Sequence, residues 1–458
     1  MRKSMLVVSV LIVAAMLLGA CAKPTVAPTE APVADVATEA PLSGELVLWI
    51  MPNGADPQAA IDAELAEFMA LNPGVTVTTE VVGWGDAYSR IQTAVEGGEG
   101  PCVTQMGTTW IPTFGTMGGL YEFSADEIAA FGGAENFVPA SWTTAGIEGK
   151  TVSIPWFADV RAIAYRADVL EAVGLTPEEA FKDTDSFQAT LEAVKAAGLT
   201  NAAGVTIDPF LSTGRNDWNV WQNASMWLWN YGGDLLNADG TAAAFNSDAA
   251  VAGVTFYYGL YGKGLTASDT LELNSSSTDA RFGEGSAFAY MTGPWIISNA
   301  RNIEVSGWAE EAANNLAFAK IPAGPGGQYT FVGGSNLSIM KTCEYPEAAI
   351  ALVQYLTSKT SQIRYANAIG MLPSTIEGQT DATFVDDPLF SVFIDAAKNG
   401  KTSAAIADWG QVENTINPAF QALWETVAAD GPSTPITEAE VKATLDDAAA
   451  TVDSLLGN

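Results

Sequence analysis

The sequence predicts an α/β chain of two lobes, each a mostly parallel sheet flanked by helices, and three observations carry that prediction. The chain has 458 residues, enough for two lobes with separate cores and large for one domain. Its hydrophobic share of 48% and aromatic share of 10% belong to a globular chain. Strand and helix patterns alternate from Glu45 to Met106 as βαβαβ, the run that builds parallel sheets with helical crossovers.

The elements of that run follow from local chemistry. Glu45 to Ile50 is a short apolar strand, and Asp56-Pro57 supplies an N-cap and a first-turn proline. Ile61, Leu65, Phe68 and Met69 recur at helical spacing until Asn72-Pro73-Gly74 ends the helix. Val75, Val77, Thr79 and Val81 alternate as a strand does. A helix from about Asp86 to Val95 and a strand from Cys102 to Met106 complete the run. Helical patterns are then expected over Asp168–Lys195, Asp217–Trp229 and Asp248–Tyr261. Others follow the Tyr345-Pro346-Glu347 cap and fill Thr437–Leu456, and no internal repeat is found.

Ahead of this body lies a different kind of segment. Arg2 and Lys3 precede an apolar run from Met5 to Leu18, 14 residues where a membrane span needs about 20. Leu18-Gly19-Ala20-Cys21 looks like a bacterial lipobox, which implies removal of residues 1–20 and acylation of Cys21. Residues 21–43 are rich in Pro, Ala and Thr and read as an extended tether. The chain is therefore expected on the extracytoplasmic face of the cell membrane, held by lipid alone.

Charge and cysteine content narrow the chemistry. The formal charge is −33, and loss of Arg2 and Lys3 makes it two units more negative. Such a chain has no basic footprint for nucleic acid, and strong anions are repelled at long range. There is no histidine, which removes histidine-based triads and metal sites, and no metal or cofactor is implied. With Cys21 lipidated, Cys102 and Cys343 remain as one possible disulfide, which their separation neither supports nor excludes.

Aromatic residues carry the remaining signal. Among 13 tryptophans, Trp218, Trp221, Trp227 and Trp229 fall in one helical stretch, where Trp227 and Trp229 suit the core. Trp218 and Trp221 share a face, and Trp218 follows the capping pair Asn216-Asp217, a place where ligands meet free backbone N–H groups. Indole faces interleaved with amides and carboxylates are what a neutral sugar needs: its C–H face stacks while its hydroxyls bond. Gln105 to Trp110 ends the third strand, and open α/β sheets bind ligands beyond such carboxyl ends.

Four segments in order then resemble one known family. They are IPWFADVRAIAYRADVL from Ile154, GGDLLNADG from Gly232, FGEGSAFAYMTGPW from Phe282 and FVGGSNLSIMK from Phe331. The chain from Gly44 to Asn458 resembles the extracellular solute-binding proteins of bacterial ABC sugar importers, the group that includes maltodextrin and other oligosaccharide binders. The resemblance implies a two-lobe periplasmic-binding-protein-like fold (type II) with ligand in the cleft and lobes that close over it. Crossings are implied near Trp156–Asp159, just before Phe331, and near Leu372-Pro373. Lobe one is then 44–157 and 331–372, and lobe two is 158–330 and 373–458.

Site residues are implied position by position. Asp159 and Arg161 match a charged pair whose other reading is a structural salt bridge. Trp295, after Gly293-Pro294, matches a stacking position. Gly334, Ser335 and Asn336 match a loop where backbone approaches ligand, or a tight hinge turn. Gln105, Thr108 and Trp110 match a strand-end site. Trp84, Asp217, Trp218, Trp221 and Trp409 complete the ligand-binding set, with core packing as the other reading of the tryptophans. Many relatives carry an acidic residue where Cys102 stands, so it is not assigned to ligand.

The function implied is a monomeric, lipid-anchored, non-enzymatic receptor that captures a neutral sugar, an oligosaccharide above all, and hands it to ABC permease subunits. Two alternatives stay open. A secreted glycoside hydrolase needs two carboxylates about 5 to 9.5 Å apart, and no pair stands out. A binding protein for a peptide or polyamine is compatible with the acidic balance.

Overall fold

The computed structural model describes residues 41–217, 220–431 and 433–457. The expected signal segment, the Cys21 expected to be acylated, nearly all of the expected tether and Trp218 lie outside them. Leu42–Asn458 is one compact unit, and no helix among the described residues is long and apolar enough to cross a membrane.

Two sheets organise this unit. The first contains β1 (Gly44–Ile50), β2 (Val75–Val81) and β3 (Val103–Gly107). A separate small hairpin follows, β4 (Gly146–Ile147) and β5 (Lys150–Thr151). Next come β6 (Ile154–Val160) of the first sheet and β7 (Ala162–Arg166), β8 (Asp208–Leu211), β9 (Ala287–Thr292) and β10 (Leu316–Ala319) of the second. The chain then returns through β11 (Thr330–Ile339), β12 (Leu372–Pro373) and β13 (Gly400–Lys401). The first sheet has the order β12-β6-β11-β3-β1-β2 with β13 beside β11, and the second is β10-β7-β9-β8.

Both sheets are mixed rather than mostly parallel. β1 pairs in parallel with β2 and β3, as helical crossovers require, whereas β11 runs against β3 and β6. In the second sheet β7 runs against both β10 and β9. Strands that arrive from the other sheet have no helical crossover to set their direction. Only Arg161 separates β6 from β7, so the chain steps from one sheet into the other there.

Helices clad both sheets. Asp56 caps helix Pro57–Leu71 by accepting the Ala59 N–H at 3.0 Å. The helical pattern expected over Asp168–Lys195 resolves into three helices, Ala167–Ala172, Pro177–Ala180 and Thr184–Ala197. Gly174, with φ of 77°, interrupts the pattern, and Thr176 and Asp183 each cap a new start. Two large cores result. One gathers Leu48, Ile61, Trp156, Leu337 and Leu352, and the other Phe187, Trp227, Tyr258, Trp409 and Trp424. The closing helices Trp409–Asp430 and Glu438–Leu455 pack into the second.

Cys102 and Cys343 are joined by a disulfide. Cys102 immediately precedes β3 and Cys343 follows β11, so the bond staples two neighbouring strands whose cysteines lie 241 residues apart in sequence.

Candidate functional site

A cleft of about 480 Å³ opens where the two sheets meet, within the size range of small-molecule sites. The first sheet contributes the carboxyl ends of β1 and β3: Asn53 and Gly54 after β1, and Gly107 to Trp110 after β3. β11 adds Gly333, Gly334 and Ser335. The other wall holds Gln222, Ser275, Asp279, Trp295, Asn299 and Trp308. Asp159 and Arg161, at the step between sheets, line the cleft as well.

The charged pair is incompletely satisfied. Arg161 donates from Nη2 to Asp159 Oδ2 at 3.0 Å, and both side chains are largely buried. Asp159 Oδ1 and Arg161 Nε lack protein partners. The two residues line the cleft, and each keeps one buried polar atom without a protein partner there. Burial pushes the Asp159 carboxyl up, against the lowering by Arg161.

Trp295 is fixed from two directions. The Arg161 guanidinium lies over its ring, 4.7 Å from the centroid, while its indole N–H donates to Asp279 Oδ2 at 2.7 Å. The Tyr290 hydroxyl donates to the other Asp279 oxygen at 2.8 Å. Burial pushes the Asp279 carboxyl up to about 6, against the lowering by these donors and by Arg161. A Cβ on Gly293 would meet the Trp295 ring at 1.9 Å, so glycine is required where the indole folds onto the backbone.

Aromatic rings also line the first sheet's side. Trp84 donates its indole N–H to the Pro52 carbonyl at 3.3 Å and meets Trp110 edge-on, with centroids 5.8 Å apart. Tyr88 backs Trp110 at 5.7 Å. Gly334 has φ of 138°, and a Cβ there would stand 2.2 Å from the Phe157 carbonyl oxygen. Close approach of β11 to β6 therefore demands glycine at a position that also lines the cleft.

Eight of the residues singled out from sequence meet at this cleft: Trp84, Thr108, Trp110, Asp159, Arg161, Trp295, Gly334 and Ser335. Five others stand off its wall. Gln105 is buried beneath it, accepting from the Met51 N–H and the Asn53 amide at 2.9 Å each and donating to Ser335 at 2.9 Å. It ties β1, β3 and β11 together. Asn336 donates to the Thr144 carbonyl and the Ser153 hydroxyl, because alternation along β11 turns it away from the face that Ser335 presents.

Asp217 is buried and accepts from the Ser275 N–H and hydroxyl, anchoring the start of helix Ser275–Gly283, which carries Asp279. Trp221 and Trp409 are fully buried and meet edge-on at 5.3 Å. Every residue of helix Val220–Asn230 is buried, so its tryptophans serve the core and Gln222 reaches the cleft instead.

Asp279, Gln222, Asn299 and Trp308 were not foreseen. Asp279 lies three residues before the Phe282 motif in a polar run, SSSTDA, that reads as a loop or cap. Trp308 was one of 13 tryptophans with no flanking signal.

Residues 63–392 match the family described as bacterial extracellular solute-binding protein. The diacetylchitobiose binding protein DasA of Streptomyces coelicolor is 23% identical over 397 residues, covering 85% of this chain and 86% of that protein. Among solved structures, an ABC transporter solute binding protein of Thermotoga lettingae bound with α-D-tagatose has a TM-score of 0.78 at 20% identity, covering 91% of this chain and all of that one. The GacH receptor of Streptomyces glaucescens, solved unliganded and with acarbose, gives 0.76 at 21% identity over 90% of this chain and 99% of that one. At these identities the structural likeness establishes the two-lobe fold.

Proposed function

We propose that this chain, which belongs to the bacterial extracellular solute-binding family, is a receptor that captures a neutral saccharide between its two lobes for an ABC importer. The observation that carries the reading is the Asp159–Arg161 pair lining the cleft beside the indole of Trp295. A sugar offers both matching surfaces at once, hydroxyls for the polar pair and a C–H face for the ring. The tryptophans on both walls and the cavity volume suit more than one sugar ring, which favours an oligosaccharide.

Ligand contacts to both walls would favour the closed arrangement, and a permease that reads the closed surface would take the sugar on. Cys21 and the tether would keep the receptor within reach of that permease. Binding without bond cleavage is the activity proposed, and the relatives named as binding proteins support it.

A thermal-shift screen of the protein against mono- and oligosaccharides tests this. A tight ligand at about 100 times its Kd raises stability by about 2.7 kcal/mol, a readily measured shift. Shifts from peptides or polyamines with none from any saccharide would refute the sugar reading.

A further inference from the structure

We propose that Asp279 is a specificity-determining residue that makes the cleft reject acidic saccharides while holding Trp295 in place. The proposal rests on the sugar reading above and adds to it the chemical class excluded and the side chain that excludes it.

Among the described lining residues the charged groups are Asp159, Asp279 and Arg161, two carboxylates against one guanidinium. Arg161 is poorly placed to receive an anion. Its Nη2 is bonded to Asp159 and its guanidinium lies over Trp295, so its charge is already shared between a carboxylate and a ring. An anionic group drawn to the guanidinium would come close to the Asp159 carboxylate, to which a hydroxyl can donate and a carboxylate or phosphate cannot. Asp279 then adds a second negative charge, held in the wall by the Trp295 and Tyr290 donors. Like charges brought together in a desolvated site cost binding heavily.

Asp279 is held from several elements, so its position is set before ligand arrives. Tyr290 reaches it from β9 and Trp295 from the turn after β9. Arg161 acts on it from the step between sheets, and Asp217 from the loop before helix Val220–Asn230. Arg161 favours the ionised form, while burial and Asp217 oppose it, which places its titration near pH 6. The charge that excludes anions is therefore largely present at pH 7.5 and largely absent at pH 5.

The test uses the full chain and calorimetric titration with maltose, cellobiose and the counterparts of each in which one CH₂OH is a carboxylate. A uronic acid stays ionised at both pH values. The expected result at pH 7.5 is binding of the neutral sugar about tenfold or more tighter than its acidic counterpart. That ratio should shrink severalfold at pH 5, and severalfold at pH 7.5 in Asp279→Asn. Asparagine can accept from the Trp295 indole and donate to the Tyr290 hydroxyl, so it keeps both bonds. Burial raises Asp159 in the same wall, so the ratio in the variants, not the pH comparison alone, assigns the effect to Asp279. A purely structural Asp279 would leave the ratio unmoved in Asp279→Asn, and Asp279→Glu, which keeps the charge, should retain the parent's ratio. Equal affinity for neutral and acidic members, or a ratio indifferent to pH, overturns the inference and leaves the sugar reading intact. Absence of binding by every saccharide overturns both.

Discussion

Trp221 donates its indole N–H to Glu413 at 3.0 Å, and the same carboxyl meets the Thr109 hydroxyl at the end of β3. Trp221 belongs to the core that packs the second sheet, and Thr109 to the cleft wall of the first, so Glu413 joins the two sides behind the cleft. Burial pushes its carboxyl up to about 7, against the lowering by these two bonds.

A pH dependence of stability follows. A carboxyl whose folded pKa is raised binds its proton more tightly folded than unfolded, so stability falls as pH rises between the two values. For Glu413 the window runs from about 4.5 to about 7, and Asp279 acts in the same direction from 3.8 to about 6. Glu413→Gln keeps both hydrogen bonds without the charge. It should exceed the parent in stability by about 2 kcal/mol at pH 8 and converge with it below about pH 5, in urea melts at both pH values.

Trp295→Ala removes the ring that Arg161 and Asp279 hold against the cleft. Affinity for any saccharide the parent binds should fall about tenfold to a hundredfold, with far-UV circular dichroism unchanged. Trp409→Phe, deep in the second core, should leave affinity within about twofold, because the side chain lies away from the cleft wall.

The Cys102–Cys343 bond closes a very long loop by joining neighbours in the first sheet. Replacing both cysteines by alanine should cost about 2 to 5 kcal/mol. Reducing agent should lower the melting temperature of the parent and leave that of the double variant unmoved.

The local chemistry of the chain explains how much could be read in advance. The Asp56-Pro57 cap and the alternation in Val75–Val81 act within a few residues, so their structures were legible. Gly334 and Ser335, expected in a loop or tight hinge turn, instead lie inside strand β11, because the glycine there answers the close approach of Phe157, distant in sequence. Trp84, Trp110 and Trp295 line the cleft at turns next to strand or helix ends, positions to which the family resemblance pointed. Trp221 and Trp409 carry equally strong aromatic signals, but their burial is decided by each other and by Phe331, distant in sequence. Asp279 was hidden for the converse reason: its meaning comes from Tyr290, Trp295 and Arg161. The antiparallel entry of β11 into the first sheet is likewise set by the path between lobes.

The most direct test of the central claim is isothermal titration calorimetry of the protein with a panel of neutral oligosaccharides, together with product analysis of each mixture. The account predicts a saturable one-site heat for at least one saccharide, lost or much weakened in Trp295→Ala, with the sugar recovered intact. No heat from any saccharide, or turnover of the sugar at a low protein-to-sugar ratio, would contradict it.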